Sequence, residues 1–296
     1  MGNKSGFVAV VGRPNVGKST LVNALIGQKI SITGPKAQTT RNKIMGIKTG
    51  EDYQVVFVDT PGSLRPHTEL DRFMEKSIEA ATLGIDVLLI LLDASRISAA
   101  DFKLVEKYEN IGVPIVLVIN KTDISSYEKV YPSLAKLNEY KFIADFVSIS
   151  AKEGKNIDQL FETILKHIPE GQNLFEKGQI TDVSERFLAA EMVREKALLF
   201  LQDEIPHGIA IDIVRFVEGK KLVTIDAEIV STKKNHKQII IGKNGEMLKK
   251  IGTSARIEIE KMTGKKVNLQ IFVKVRENWQ DDKLTLRELG YDKKDI

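Results

Sequence analysis

Gly12-Arg13-Pro14-Asn15-Val16-Gly17-Lys18-Ser19 is the stretch from which the rest of this sequence can be placed. It follows an unbroken apolar run, Phe7–Val11, and leads into an amphipathic stretch over residues 17–27. The apolar run reads as a buried strand, and the three- to four-residue spacing after it reads as a helix. A glycine-rich loop between the two gathers backbone N–H groups at the positive end of the helix. The pattern G-x-x-x-x-G-K-[ST] therefore predicts a seat for nucleotide phosphates. Gly12 and Gly17 let the main chain approach closely, and Lys18 sets its charge against the β- and γ-phosphates. Ser19 offers a hydroxyl to Mg²⁺, and Asn15, Val16 and Thr20 complete the expected cradle.

Four further apolar runs follow: Val55–Val58, Val87–Leu92, Ile115–Ile119 and Phe146–Ile149. Helical patterns lie between and after them, near 70–82, 99–110, 127–140 and 156–168. Strands that are apolar throughout and separated by helices predict a parallel sheet covered on both faces. Ligands of such a sheet sit beyond the C-terminal strand ends.

Asp59-Thr60-Pro61-Gly62 stands at one such end. Asp59 is expected to hold Mg²⁺, directly or through water, and the Gly62 N–H to sense the γ-phosphate. Asn120-Lys121-Thr122-Asp123 stands at another. The Asp123 carboxylate can accept from guanine N1–H and the N2 amine together. Adenine offers neither donor, so the pocket is predicted to take GTP and not ATP. Asn120 would brace neighbouring loops, and the Lys121 stem would cover the base. Backbone amides of Ser150-Ala151-Lys152 could meet guanine O6. Thr39-Thr40-Arg41 falls in a polar stretch before Asp59, and Thr40, with Thr39 as second choice, is expected to reach Mg²⁺ and the γ-phosphate from a mobile loop. The catalytic candidates are Lys18, Thr40, Asp59 and Gly62, and the metal candidates Ser19, Thr40 and Asp59.

The chain has 296 residues, 42% of them hydrophobic and 28% charged, which is length and composition for two soluble domains. Residues 1–168 are expected to form the first domain, 169–182 a linker, 183–276 the second domain and 277–296 a tail. No apolar run approaches the roughly 18 residues of a membrane span. The N-terminus lacks the apolar centre of a signal peptide. Without cysteine there are no disulfides or thiolate metal sites, which fits a cytosolic protein.

The second domain has its own rhythm. A helical stretch, Val183–Gln202, precedes alternating Ile209, Ile211, Ile213 and Val223, Ile225, Ala227, Ile229. A short helix ends at Ile241, and Gly242-Lys243-Asn244-Gly245 follows. Met247, Ile251, Ala255, Ile259 and Met262 then mark a helical stripe, and Val267 to Val275 alternate as a last strand. The predicted order is α-β-β-α-α-β. The chain's net charge is only +4, but residues 229–275 hold eleven Lys/Arg against three Glu, a local +8. Such an excess is the footprint of a polyanion partner. Ile239, Ile240 and Ile241 are expected to supply a groove for bases.

G-R-P-N-V-G-K-S, T-T-R and D-T-P-G, followed by N-K-T-D, resemble the translation-factor-like branch of the P-loop GTPases. The G-K-N-G loop in its α-β-β-α-α-β unit resembles the GxxG loop of a type II KH domain, which clamps about four nucleotides of single-stranded backbone. Together, and with V-R-E-N-W at 275–279, the two parts resemble the Era family of bacterial ribosome-assembly GTPases over nearly the whole chain. The resemblance implies an α/β P-loop GTPase domain with a mostly parallel sheet, followed by an α+β type II KH domain. It implies Mg²⁺-dependent hydrolysis of GTP to GDP, and single-stranded RNA held by Ile241, Gly242, Lys243, Asn244, Gly245 and Lys249. It further implies binding near the 3′ end of 16S ribosomal RNA, a part in 30S subunit assembly, action as a monomer and peripheral contact with the inner membrane face. Asn15 resembles the K⁺ ligand of related GTPases. One departure stands out: Ser63 and Leu64 follow D-T-P-G where many family switches carry a water-orienting Gln. Slow intrinsic hydrolysis, completed by a partner or a monovalent cation, is the expectation.

Overall fold

The structure is a computed structural model that describes residues 2–34, 36, 38–62 and 66–292, without the side chains of Tyr127 and Lys129. Ser63 and Leu64, which carry the expectation of slow hydrolysis, lie outside these residues.

Strand β1 (Lys4–Gly12) and helix α1 (Lys18–Ile26) flank the glycine-rich loop. With β2 (Ile44–Thr49), β3 (Tyr53–Asp59), β4 (Val87–Asp93), β5 (Ile115–Asn120) and β6 (Ile143–Ser148), β1 builds a six-stranded sheet in the order β2-β3-β1-β4-β5-β6. All neighbours run parallel except β2, which pairs antiparallel with β3. Helices α2 (Glu69–Ala81), α3 (Ala99–Lys107), α4 (Tyr127–Leu137) and α5 (Ile157–His167) join α1 in covering it. On one face Leu21, Leu25, Leu160 and Ile164 pack against Val8, Val10, Phe57 and Leu89. On the other, Ile78, Val105 and Leu137 pack against Ala9, Leu88 and Leu117. Burial from both sides explains why β4 reads Val-Leu-Leu-Ile-Leu-Leu before Asp93, all of it buried. The edge strand β2 was not foreseen. Ile44-Met45-Gly46-Ile47-Lys48-Thr49 has no clean alternation, and its pairing with β3 gives it its form.

The second unit has the expected order: α6 (Glu185–Phe200), β7 (Ile209–Glu218), β8 (Leu222–Ser231), α7 (Lys234–Ile241), α8 (Glu246–Thr263) and β9 (Lys266–Val275). β7 and β8 are antiparallel, and β8 and β9 parallel. The alternating residues of all three strands face α6 and α8, where Val193, Ala197, Ile251, Ala255 and Ile259 close the core.

Residues 169–182 are not a free tether. The Ser5 N–H donates to the Pro169 carbonyl (3.0 Å), and the Gly171 N–H to that of Asn3 (2.8 Å). The Gln54 side chain accepts from Leu174 N–H (2.6 Å) and Phe175 N–H (2.8 Å). The Ile47 N–H donates to the Ile180 carbonyl (2.9 Å), and the Met45 N–H to Asp182 Oδ1 (3.0 Å). The segment thus completes the open edge of β2.

The expected tail is likewise docked. Trp279 is fully buried and donates to the Gly208 carbonyl (3.0 Å). With Leu286 of the short helix α9 (Lys283–Glu288) and Tyr291, it packs on Ala210 and Val230 of the second unit and on Leu70, Phe73 and Met74 of α2. No helix among the described residues is long and apolar enough to cross a membrane.

Candidate functional site

The loop after β1 turns through two left-handed residues, Asn15 (φ 63°) and Gly17 (φ 102°). Only glycine fits at 17, because a Cβ there would lie 2.3 Å from Asn120 Nδ2. Lys18 folds back under the loop, and its ammonium donates to the carbonyls of Gly12 (3.1 Å) and Arg13 (3.2 Å). Burial lowers its pKa to about 8, against the pull of Asp59.

Three oxygens meet beside it. The hydroxyls of Ser19 and Thr40 are 2.7 Å apart, and Thr40 donates to Asp59 Oδ2 at 3.4 Å. Asp59 is fully buried and its Oδ1 has no hydrogen-bond partner. Burial raises its pKa, while Ser19 and Lys18 act to lower it. A buried carboxylate oxygen without a donor is costly unless a cation meets it. Oxygens of this kind suit a hard divalent cation. Thr39 also lines the cavity, but its hydroxyl donates to the Lys36 carbonyl at 2.7 Å, so of the two threonines it is Thr40 whose hydroxyl meets Ser19 and Asp59. Thr20 and Gly62 line the same cavity as Lys18, Ser19 and Thr40. Thr60 was not singled out in the sequence. Its hydroxyl ties the Asp59 segment to β1 through the Val10 carbonyl (2.7 Å).

At the far end of the cleft Asn120 is almost fully buried. Its amide donates to the Val16 carbonyl (2.8 Å), and its Oδ1 accepts from Ala151 N–H (3.0 Å). One side chain therefore joins the phosphate loop to the 150–152 loop. Asp123 accepts the Ser150 hydroxyl on Oδ1 (2.7 Å), which orients the carboxylate. Asn15, Gly17, Lys121, Asp123 and Lys152 line one cavity. The Lys121 ammonium reaches the Asn15 carbonyl (2.6 Å) and Asp93 Oδ2 (2.8 Å), laying its stem along the cleft. Burial pushes Asp93 up in pKa, but Lys121 and Ser95 outweigh it and hold it below the usual range. Asp93 also escaped the sequence reading, although its place at the end of β4 was a sufficient signal.

In the second unit Lys243–Gly245 form a tight turn between α7 and α8. Gly242 has φ 75°, and a Cβ there would lie 2.7 Å from Met247 Cβ and 2.9 Å from its backbone N. Lys243, Asn244 and Lys249 are exposed. Beside the turn lies a groove lined by Gly245, Leu248, Lys249, Thr253, Arg256 and Ile271. The isoleucines expected to wall it do not. Ile240 is fully buried, Ile241 is partly buried against the core, and Ile239 is half exposed. Three consecutive helical residues point in three directions, so one helix face cannot hold them all. Leu248, Leu269 and Ile271 supply the apolar wall instead.

The family described as 50S ribosome-binding GTPase matches residues 7–121, and the KH domain family matches residues 204–280. GTPase Era of a Clostridium perfringens strain is 46% identical over 294 residues, 98% of this chain and 99% of that one. This chain belongs to the Era family. GTPase Era of Clostridium beijerinckii is 47% identical over 291 residues, covering 97% of each chain. Era-family crystal structures agree. One, of Era in complex with MgGDPNP and nucleotides 1506–1542 of 16S ribosomal RNA, superposes with a TM-score of 0.92 at 39% identity, over 98% of this chain and 99% of that one. Another, of a point variant of Aquifex aeolicus Era bound to GDP·AlF₄⁻, has a TM-score of 0.92 at 40% identity, over 97% of this chain and 99% of that one. The Era family unites both halves of the chain: a GTPase domain and a KH domain.

Proposed function

We propose that the chain is a GTP-hydrolysing switch of 30S subunit assembly, acting as a cytoplasmic monomer and seating its KH groove on single-stranded RNA near the 3′ end of 16S ribosomal RNA. The observation that carries this reading is the meeting of Ser19, Thr40 and Asp59 beside Lys18, in a chain similar over 98% of its length to an Era complexed with nucleotide and 16S RNA. Lys18 and the amides of residues 15–20 bind the β- and γ-phosphates. Asp123 accepts from the guanine edge, and Asn120 fixes the two loops that enclose the base. Ser19, Thr40 and Asp59 would hold Mg²⁺, which supplies charge neutralisation at the phosphates. Water attacks the γ-phosphorus in line, the bond to the β-phosphate oxygen breaks, and the water's proton ends on phosphate. The protein's share is position and charge, with Lys18 and the Gly62 N–H facing the transferred group. Asn15, which lines the cavity, would serve a K⁺ ion.

A nucleotide-dependent scaffold without hydrolysis is the rival reading, and single-turnover measurement of GTP cleavage with and without 30S particles separates the two. For the base, Asp123→Asn should weaken GTP by about a hundredfold, as two charge-assisted bonds are lost, without improving ATP. Calorimetry that finds ATP and GTP bound alike in the parent chain would refute the guanine site. For the RNA, crosslinking the GTP-loaded protein to total cellular RNA should recover the 16S 3′ end.

A further inference from the structure

The segment that carries Thr40 is gripped from outside its own domain. Arg194 of α6 has a side chain only 1% exposed. Its guanidinium donates to the carbonyl of Gln38 (3.2 Å) and to that of Thr39, the two residues before Thr40. Glu191, one turn earlier on α6, takes the other edge of the fork at 2.7 and 2.5 Å. Burial works against the charge of Arg194, and Glu191 more than offsets it, so the fork stays cationic.

On the other side of Thr40, Arg41 is 2% exposed and lies 5.7 Å from the centre of the Trp279 ring. It donates to the carbonyls of Ile209 (2.7 Å) and His207 (3.3 Å) and to the Tyr291 hydroxyl (3.3 Å). The Gln38 side chain donates to Asp71 of α2 at 2.9 Å. Thr40 therefore sits between two buried arginine anchors, with its hydroxyl 2.7 Å from that of Ser19.

Apolar contacts would join two domains without burying guanidinium groups, whose removal from water is costly. A planar fork adds direction. Bonds to two successive carbonyls fix two peptide planes, and rotation of those planes is what would swing the Thr40 hydroxyl away from Ser19 and Asp59.

We propose that Arg194 is a positioning residue for GTP hydrolysis, supplied by the RNA-binding half, that presets Thr40 at the γ-phosphate end of the site. The proposal rests on the assignment of Thr40 given above. GDP lacks the γ-phosphate and gains nothing from the arrangement.

The test is calorimetry of the full chain with a non-hydrolysable GTP analogue and with GDP, both with Mg²⁺, on Thr40→Ala, Arg194→Met, Arg194→Lys and the Thr40→Ala/Arg194→Met double variant. Arg194→Met should lower the triphosphate-to-diphosphate affinity ratio by about tenfold, the worth of one charge-assisted hydrogen bond, with GDP unchanged. Arg194→Lys, whose point charge cannot span both carbonyls, should recover part of it. Arg194→Met should add nothing in the Thr40→Ala background. If Thr40→Ala itself leaves the ratio intact, the Thr40 assignment is wrong and the proposal falls with it. If Thr40→Ala lowers the ratio but the Arg194 variants keep that of the parent, or weaken both nucleotides equally, Arg194 has no positioning role. Should Arg194→Met lose its cooperative melt, Arg194→Lys and Glu191→Gln carry the same comparison.

Discussion

An ammonium buried among carbonyl oxygens, with one carboxylate to support it, gives up its proton easily, and burial brings Lys18 to about 8. Phosphate needs the charged form. Below the free-site value Lys18 is already protonated and GTP affinity should be flat. Above about pH 8 the free site must take up a proton on binding, so affinity should fall by up to about tenfold per pH unit. Calorimetry in buffers of different ionisation enthalpy checks this, since proton uptake should appear only at the alkaline end. Lys18, Ser19, Asp59, Asn120 and Asp123 could be read in the sequence because their spacing follows from strand ends and one helix start. Thr60 and Arg194 were hidden because their partners lie far along the chain: Thr60 meets the Val10 carbonyl, and Arg194 meets those of Gln38 and Thr39.

Elements buried on both faces were the most legible, β4 above all, because burial leaves an unbroken apolar run. The edge strand β2 pairs with only one other strand and has an irregular pattern, and it becomes visible only through β3. In the KH unit, periodicity located α7 and α8 but not which isoleucine of α7 faces inward. The turn between them is specified by glycines, with its side chains in solvent. Replacing Lys243 and Asn244 together by Asp should therefore leave the fold intact. It removes a positive charge and adds two negative ones where phosphates are expected. Binding of a single-stranded 16S 3′-end oligonucleotide should fall at least tenfold at low salt while guanine-nucleotide affinity holds, and filter binding beside calorimetry measures both. A variant that kept its RNA affinity would place the RNA elsewhere.

Taken as one body, the molecule is more tightly joined than its two-part sequence suggests. Lys29, just after α1, meets Glu195 of α6 and Glu258 of α8 at 2.7 Å each. The Thr33 N–H donates to Glu195 at 3.0 Å, and Trp279 closes the seam against α2. Composition could signal two domains, but not that residues 169–182 belong with the first, since hydrogen bonds to β2 and Gln54 leave no trace in spacing. A fragment of residues 1–183 should accordingly be more stable than one of 1–168 by about 2–4 kcal/mol, melting about 5–10 °C higher. Differential scanning calorimetry of the two fragments is the check, and equal melting temperatures would mean that the segment is only draped on the surface.

That stitching has a consequence for the newborn chain. Domains fold as they are synthesised, the N-terminal one first. Here the first domain reaches its last strand, β6, well before the residues that cover β2 have been translated. Until Ile180 and Asp182 arrive, β2 offers bare amides to any neighbouring nascent strand, and such an edge is a template for aggregation. A pause in translation before these residues have emerged from the ribosome would prolong that exposure, and one after they have emerged would not.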